Sequence, residues 1–108
     1  MLLIVSKYLI PVGYRGMTVF PFVILREAAD AENVVLMNHE KIHFRQQLEL
    51  FVLPFFVWYL ADYMVKLIRY RDKNEAYRNI VFEREAYANE KDLSYLKSRS
   101  FWKFLKYS

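Results

Sequence analysis

Apolar residues near the N-terminus fall into two stretches with the composition of strands. Leu2–Ile10 and Met17–Leu25 are rich in aliphatic, β-branched and aromatic residues. Pro11–Gly16 lies between them and contains both glycines of the chain, which is typical of a turn. The pattern predicts that the two stretches pair as a β-hairpin within residues 1–27. Because Pro21 cannot donate a ladder hydrogen bond, the second strand is predicted to be an edge strand.

The middle of the chain is predicted to contain two long helices. The first covers residues 31–52, with Asp30 as its N-cap. Pro54 is predicted to end or kink this helix, because proline lacks the backbone N–H that a helix interior needs. A second and very apolar helix is predicted over residues 54–70.

The C-terminal third is predicted to add further helices within residues 76–107. A break near Asn79 divides the first of them, and Ser100 is a candidate N-cap for a short last helix. Together with the hairpin, these elements predict a single, mostly helical α+β domain over residues 1–108. A length of 108 residues allows one hydrophobic core of modest size.

The amino-acid composition limits how the fold can be stabilised and what it can contact. There is no cysteine, which excludes a disulfide scaffold and a thiolate metal site. Aromatic residues make up 19% of the chain, which indicates either a dense core or an apolar surface that meets a partner or a bilayer. The longest apolar run, Leu50–Ala61, has 12 residues, fewer than the ~20 that span a membrane. We therefore interpret it as part of a buried core helix, with a membrane-contacting helix as the alternative.

The net charge of +4 is concentrated at the C-terminus. Residues 1–90 carry 11 cationic and 11 anionic side chains, whereas residues 91–108 carry five cations and one acid. A nucleic-acid interface spread over the fold is therefore not favoured. Residues 97–107 mix cations with aromatic side chains, which predicts a terminal helix docked on the core or, alternatively, peripheral contact with a membrane. Since Met1–Ile10 lacks the features of a secretory signal, a cytoplasmic location is expected, with membrane association left open.

The chain has two histidines, and they form an HExxH motif with the glutamate between them. His39 and His43 are four residues apart, so on a helix both imidazoles project from one face. Two such nitrogens can bind Zn²⁺ at ~2.0–2.1 Å. Glu40 follows the first histidine and is placed to accept a proton from a zinc-activated water. The motif predicts a zinc site with Glu40 as its general base.

A catalytic zinc site needs a third protein ligand, and no third histidine exists. The ligand must therefore be a carboxylate from elsewhere in the chain. Glu49 is too close to the motif on the same helix to face the metal. The residues alone leave open the carboxylates that follow it, which are Asp62, Asp72, Glu75, Glu83, Glu85, Glu90 and Asp92.

The motif HEKIH followed by EREAY resembles the gluzincin group of zincin metallopeptidases, and the small size resembles a minigluzincin. HExxHxxQQ and FExEAY are also similar to motifs of short bacterial proteins. In gluzincins the third ligand is a glutamate on a later helix, within an ExxAD signature. The resemblance implies that Glu83 is this ligand, with Glu85 as the runner-up. Tyr87 stands where the family has an aspartate that supports a ligand histidine, so its hydroxyl is a candidate for that role.

The resemblance also implies a function, which is zinc-dependent hydrolysis of a peptide or protein substrate. Gln47, Tyr77 and Tyr87 are candidates to stabilise the oxyanion or support a ligand. An extended substrate would pair with the edge strand of the hairpin, at positions Thr18, Phe20 and Phe22. The alternative is a catalytically silent zincin-like module that binds a membrane surface or a protein partner.

Overall fold

A computed structural model describes all residues from Met1 to Ser108. Three short strands come first, namely β1 (Leu2–Val5), β2 (Gly16–Val19) and β3 (Phe22–Leu25). Five α-helices follow, which are α1 (Val34–Leu50), α2 (Val52–Tyr70), α3 (Lys73–Arg78), α4 (Val81–Asn89) and α5 (Tyr95–Ser98). Two 3-10 helices, Ala28–Glu32 and Lys103–Tyr107, precede α1 and end the chain. The α+β class and the excess of helix are as predicted.

The sheet has the order β1-β3-β2, and its strand pairing differs from the prediction. The hairpin joins β2 to β3, so the apolar stretch Met17–Leu25 folds back on itself. Pro21 lies in the turn between these strands, where its missing N–H removes no ladder hydrogen bond. β1 pairs with β3 in parallel instead of forming the predicted hairpin. β2 is consequently an edge strand, and β3 is the central strand.

Helix α1 begins and ends at residues that the sequence pattern did not single out. Asn33 is its N-cap, and the side chain accepts a hydrogen bond from the Leu36 N–H. The predicted cap, Asp30, lies instead in the preceding 3-10 helix and forms an ion pair with Arg15. At the other end, Phe51 adopts φ 60° and ψ 149°, which stops the helix at Leu50.

Helix α2 leaves this junction at an angle of 112° to α1. Pro54 lies in the first turn of α2, where a missing N–H costs no helical hydrogen bond. The prediction that α2 is a buried core helix is wrong, because Phe55 is its only fully buried residue. No single helix meets the length and hydropathy of a membrane span; α1 and α2 meet them only when taken together across their bend.

The core lies on both sides of α1. Val23 and Leu25 of the sheet pack against Met37, whereas Ile42 packs against Ala86 of α4. A third cluster joins α2, α4 and the last 3-10 helix, with Phe55, Ile80, Val81, Phe82 and Phe104 as its buried members. The C-terminal segment is therefore docked on the core. It is a 3-10 helix that begins after Trp102, so Ser100 is not its cap.

Candidate metal centre

Helix α1 buries an unusual number of polar side chains because it lies between the sheet and α4. Seven of its polar residues are less than 9% exposed, namely Asn38, His39, Glu40, His43, Gln46, Gln47 and Glu49. Each buried polar atom needs a partner, since an unpaired one costs about 1–3 kcal/mol. The partners of these side chains define the site.

Three side chains from two helices bring one atom each to a common point. His39 and His43 lie one turn apart on α1, and Glu83 lies in the first turn of α4. The two histidine Nε2 atoms are 3.2 Å apart. Glu83 Oε1 lies 3.1 Å from Nε2 of His39 and 3.0 Å from Nε2 of His43. These atoms are close enough together to hold one metal ion.

The other ring nitrogen of His39 identifies its tautomer. Nδ1 of His39 lies 2.8 Å from Oε2 of Glu90, at the C-terminal end of α4. A carboxylate accepts hydrogen bonds, so Nδ1 carries the proton and donates it. In the neutral ring, Nε2 then has a free lone pair directed at Glu83.

The tautomer of His43 is set by Gln46, one turn further along α1. The Gln46 Nε2 donates to the Phe82 carbonyl at 3.1 Å and to Glu85 at 2.9 Å, which fixes the orientation of the amide. Gln46 Oε1 therefore faces Nδ1 of His43, at 2.8 Å. Since this oxygen can only accept, Nδ1 of His43 is the protonated nitrogen and Nε2 again carries the lone pair.

Two lone pairs and one carboxylate oxygen thus face each other with no donor between them. Such a group of acceptors is stable only around a cation, either a metal ion or a proton. Without a metal, burial lowers the pKa of His43, but the neighbouring Glu83 carboxylate outweighs it and raises this pKa to about 9. Two imidazole nitrogens and one carboxylate oxygen suit Zn²⁺, whereas Mg²⁺ and Ca²⁺ prefer oxygen ligands alone.

The carboxylate of Glu83 is held by a second helix. Tyr59 of α2 donates its hydroxyl to Oε2 of Glu83 at 2.6 Å, which leaves Oε1 for the histidines. Burial opposes ionisation of Glu83, but His43 and His39 together hold its pKa well below the usual range. Glu83 is therefore ionised at neutral pH.

Glu40 lies beside this centre but is not one of the convergent ligands. Thr18 of β2 donates its hydroxyl to Oε1 of Glu40, at 2.8 Å. Burial raises the pKa of the Glu40 carboxyl, although both histidines and Thr18 oppose the shift. Oε2 of Glu40 has no hydrogen-bond donor in the protein. The backbone of Gly16 in β2 also lies next to this carboxylate, since a Cβ there would be 3.5 Å from Glu40 Cδ.

Two cavities open on either flank of Glu40. One of about 350 Å³ is lined by His43 and Glu83, and by Phe55 and Tyr59 of α2. The other, of about 190 Å³, is lined by His39 and Glu90. Four residues line both cavities, namely Tyr14, Gly16, Glu40 and Tyr77. A ligand in either cavity would therefore meet the Glu40 carboxylate.

The runner-up ligand, Glu85, faces away from the histidines. Its carboxylate accepts from Arg99 Nε and from the Tyr95 hydroxyl, at 2.5 and 2.6 Å. Arg99 also bridges to both carboxylate oxygens of Glu49, at 2.6 and 2.9 Å. Although burial opposes it, this set of donors lowers the pKa of Glu85. Glu49 and Glu85 are thus structural partners of a buried arginine.

The three predicted supporting residues have different surroundings. Tyr87 contacts His39 through its ring, with the ring centroids 4.6 Å apart, and the carboxylate that supports His39 is Glu90. Gln47 is fully engaged by β2 and the turn after it, since it accepts from the Phe20 N–H and donates to the Thr18 carbonyl. Tyr77 lines both cavities, and burial raises its pKa.

Of the three predicted substrate-strand residues, only Thr18 lies in the edge strand. Phe20 lies in the turn, and Phe22 lies in the central strand β3, because the hairpin reverses at Pro21. Asp62, another carboxylate left open by the sequence, accepts from the Val81 N–H at 2.7 Å and so fixes the start of α4. It does not reach the histidines.

Three important residues were missed by sequence reasoning, namely Tyr59, Glu90 in its supporting role, and Arg99. Tyr59 and Arg99 reach the site from distant parts of the chain, and no local spacing predicts such contacts. The position of Glu90 could have been predicted from spacing, since it lies seven residues after Glu83, which is two helical turns along the same face.

Comparison with protein-family models, curated proteins and solved structures finds no match to this chain.

Proposed function

We propose that this protein is a zinc-dependent hydrolase that cleaves peptide bonds. The observation that carries the proposal is the convergence of His39, His43 and Glu83, three acceptors that face one another without a proton donor. The tautomers dictated by Glu90 and Gln46 free both Nε2 atoms for a metal. In this position zinc would supply Lewis acidity, which lowers the pKa of water and polarises a carbonyl group.

Glu40 is the residue that we assign to proton transfer. Its raised pKa makes it a stronger base than an exposed carboxylate. Thr18 donates to Oε1 of the carboxylate, which leaves Oε2 without a donor, and Glu40 lines the cavities that His43 and His39 also line. Glu40 would accept a proton from the attacking water at Oε2 and pass it to the leaving amine.

A peptide substrate is favoured by the unpaired edge of β2. Arg15 and Met17 bond to β3, so the alternation of an antiparallel pair directs the backbone of Gly16 and Thr18 away from it. Gln47 occupies the Thr18 carbonyl, whereas the Gly16 N–H and C=O have no such partner. Because Gly16 lines both cavities, an extended peptide could pair there and pass in front of Glu40.

Tyr77 is our candidate for stabilising the oxyanion. It lines both cavities, and its raised pKa keeps the hydroxyl protonated as a hydrogen-bond donor. Tyr59 also lines the larger cavity, but its hydroxyl is already donated to Glu83. The partner of the Tyr77 hydroxyl is the uncharged hydroxyl of Tyr87, so Tyr77 gives up a weaker hydrogen bond than Tyr59 when it donates to a substrate.

The test combines metal content with peptide cleavage. Protein purified without added metal is analysed by mass spectrometry, and about one zinc per chain is expected. His43→Ala and Glu83→Ala should lose the metal, whereas Glu40→Gln should keep it. In a screen of quenched fluorescent peptides, Glu40→Gln should lower the rate by about 10²-fold or more. Glu75→Gln, which changes an exposed glutamate on α3, is the matched control.

The outcomes separate the metal site from the chemistry. Equal zinc content in a variant that lacks both histidines would refute the whole proposal. Zinc loading without any peptide cleavage would refute the hydrolase and leave a silent metal-binding module. Unchanged cleavage by Glu40→Gln would refute only the role of Glu40 as the base.

A further inference from the structure

One face of α2 is apolar and open to solvent along its whole length. Leu53, Val57, Leu60, Met64 and Ile68 recur at intervals of three or four residues, which places them on one side of a helix. Their side chains are between 49% and 76% exposed. The opposite side of the same helix lines the larger cavity. This stripe is therefore free of any partner within the protein.

The exposed surface of α2 is almost without charge. Arg69, near the C-terminal end of α2, is the only exposed charged residue of this helix. Asp62 and Lys66 are half-buried and form an ion pair at 3.0 Å. A helix surface of this length that faces water normally carries charged side chains.

The C-terminal segment extends this surface at the N-terminal end of α2. The Trp102 N–H donates to the Glu49 carboxylate at 3.0 Å, which places Trp102 beside the junction at Phe51. Trp58 of α2 packs against Phe104, with ring centroids 5.3 Å apart. We call the combined surface the apolar face; it comprises the stripe on α2 together with Phe51, Phe101, Trp102 and Leu105.

Two aromatic residues of the apolar face have a strained backbone. Phe51 has φ 60° and ψ 149°, a region used almost only by glycine, and Trp102 has φ 60° and ψ 31°. Phe51 is also 77% exposed, so the fold gains little from burying its ring. Neither the strained backbone nor the exposed ring of Phe51 stabilises the fold, which fits a ring that contacts a surface outside the protein.

Beside the C-terminal part of the apolar face, the side-chain charges have one sign. The chain contains no acidic residue after Asp92, and Lys97, Lys103 and Lys106 flank the exposed aromatic residues. Arg99 does not contribute, because its side chain is buried between Glu49 and Glu85. An apolar surface rimmed with lysine and aromatic residues matches the interface of an anionic bilayer.

We propose that the apolar face docks this protein on the surface of an anionic lipid bilayer, with α2 lying in the plane of the membrane. A second copy of the chain fits less well, since neither the stripe nor the C-terminal part of the apolar face offers an exposed acid to pair with these lysines across a twofold contact. This proposal does not depend on the bound metal or on peptide cleavage.

The test is co-sedimentation of the full chain with vesicles. Binding is expected with phosphatidylcholine vesicles that contain phosphatidylglycerol, and weaker binding with phosphatidylcholine alone. Leu53→Asp combined with Leu60→Asp should weaken binding to the vesicles at least about tenfold, because each substitution would place a carboxylate among the lipid chains. Leu93→Asp is the matched control, since Leu93 and Leu60 are 58% and 61% exposed and Leu93 lies outside the apolar face. Circular dichroism checks that all variants fold.

A second pair of variants tests the charge. Lys103→Glu with Lys106→Glu should weaken binding to the anionic vesicles, and added salt should do the same to the wild type. Lys91→Glu, an exposed lysine on the turn after α4, should have a smaller effect. Phe51→Gly should weaken vesicle binding while it raises the melting temperature, because glycine relieves the backbone strain.

Three results would overturn the proposal. The first is an absence of binding to both kinds of vesicle. The second is equal binding by the Leu53→Asp/Leu60→Asp and Leu93→Asp proteins. The third is a stable dimer in sedimentation velocity that the Leu60→Asp change dissociates, which would assign the apolar face to a second copy. Vesicle binding by protein stripped of metal would support docking even if the proposed hydrolase failed its own test.

Discussion

Helices α1 and α2 are consecutive in the chain, yet each reverses the usual relation between polarity and burial. α1 buries histidine, glutamate and glutamine side chains, whereas α2 exposes leucine, valine and isoleucine. Neither helix would be placed correctly by hydropathy alone. A buried polar helix needs a partner for every polar atom, and an exposed apolar helix needs a partner outside the chain.

The two helices therefore contribute differently to the stability of the fold. Apart from Oε2 of Glu40 and the two Nε2 atoms at the candidate metal centre, the buried polar side chains of α1 have partners in the sheet, α4 and the C-terminal residues, so the helix is specified by contacts within the fold. The outer face of α2 has no such contacts, and the fold would tolerate polar residues there.

Removing the arginine at the centre of the buried network should have the largest effect. Arg99→Met leaves Glu49 and Glu85 buried without their cation, which should lower the free energy of unfolding by about 3–5 kcal/mol. Urea denaturation measures this loss. Arg84→Met, at an exposed position on α4, is the control and should change stability by less than about 0.5 kcal/mol. A loss below about 1 kcal/mol for Arg99→Met would contradict a stabilising role for the network.

The metal-free protein should lose stability as the pH rises. The pKa of His43 is raised from 6.5 to about 9 in the folded state, so the stabilisation is complete below pH 6.5 and is lost by about pH 9. The shift corresponds to roughly 3 kcal/mol. Denaturation of protein held in a chelator at a series of pH values measures the slope, and His43→Gln should remove it. A metal-loaded sample should instead lose stability at acid pH, where protons compete for the ligands.

Exchanging the polarity of one residue in each helix gives the sharpest comparison. Gln47→Leu leaves the Phe20 N–H and the Thr18 carbonyl without partners and should cost about 2 kcal/mol. Leu60→Gln, at a 61% exposed position, should cost less than about 0.5 kcal/mol. Thermal melts of the two variants measure both values. Comparable losses would mean that the outer face of α2 is held by contacts within the fold after all.

The HExxH helix and the convergence of its two histidines could be predicted because they depend on local spacing. A spacing of four residues is about one helical turn, so any helix places His39 and His43 on one face, with Glu40 next to them. Glu83 could be predicted as the third ligand only through the resemblance to gluzincins, since its distance from the histidines depends on how α4 packs against α1. The role of Glu90 follows from that packing too.

The strand pairing and the helix junction could not be read from the sequence. Nearby apolar stretches predict a hairpin, but the parallel pairing of β1 with β3 is a non-local choice that depends on the whole sheet. Helix α1 ends at Phe51, which has a positive φ although it is not a glycine. No residue propensity predicts a helix end of this kind. From sequence, Arg99 is one of the cations of a basic C-terminal tail, and nothing in the sequence indicates that its charge is buried between Glu49 and Glu85.

A metal ion held between α1 and α4 would also link the supply of metal to the lifetime of the protein. His43 and Glu83 are 40 residues apart in sequence, so an ion bound by both would close a long loop of chain. Such an ion would stabilise only the folded state, by a free energy that rises with the logarithm of its concentration over its dissociation constant. In a metal-starved cell the unfolded fraction would rise and proteases would remove it. Scarcity of metal would then lower the amount of this protein, in addition to its activity.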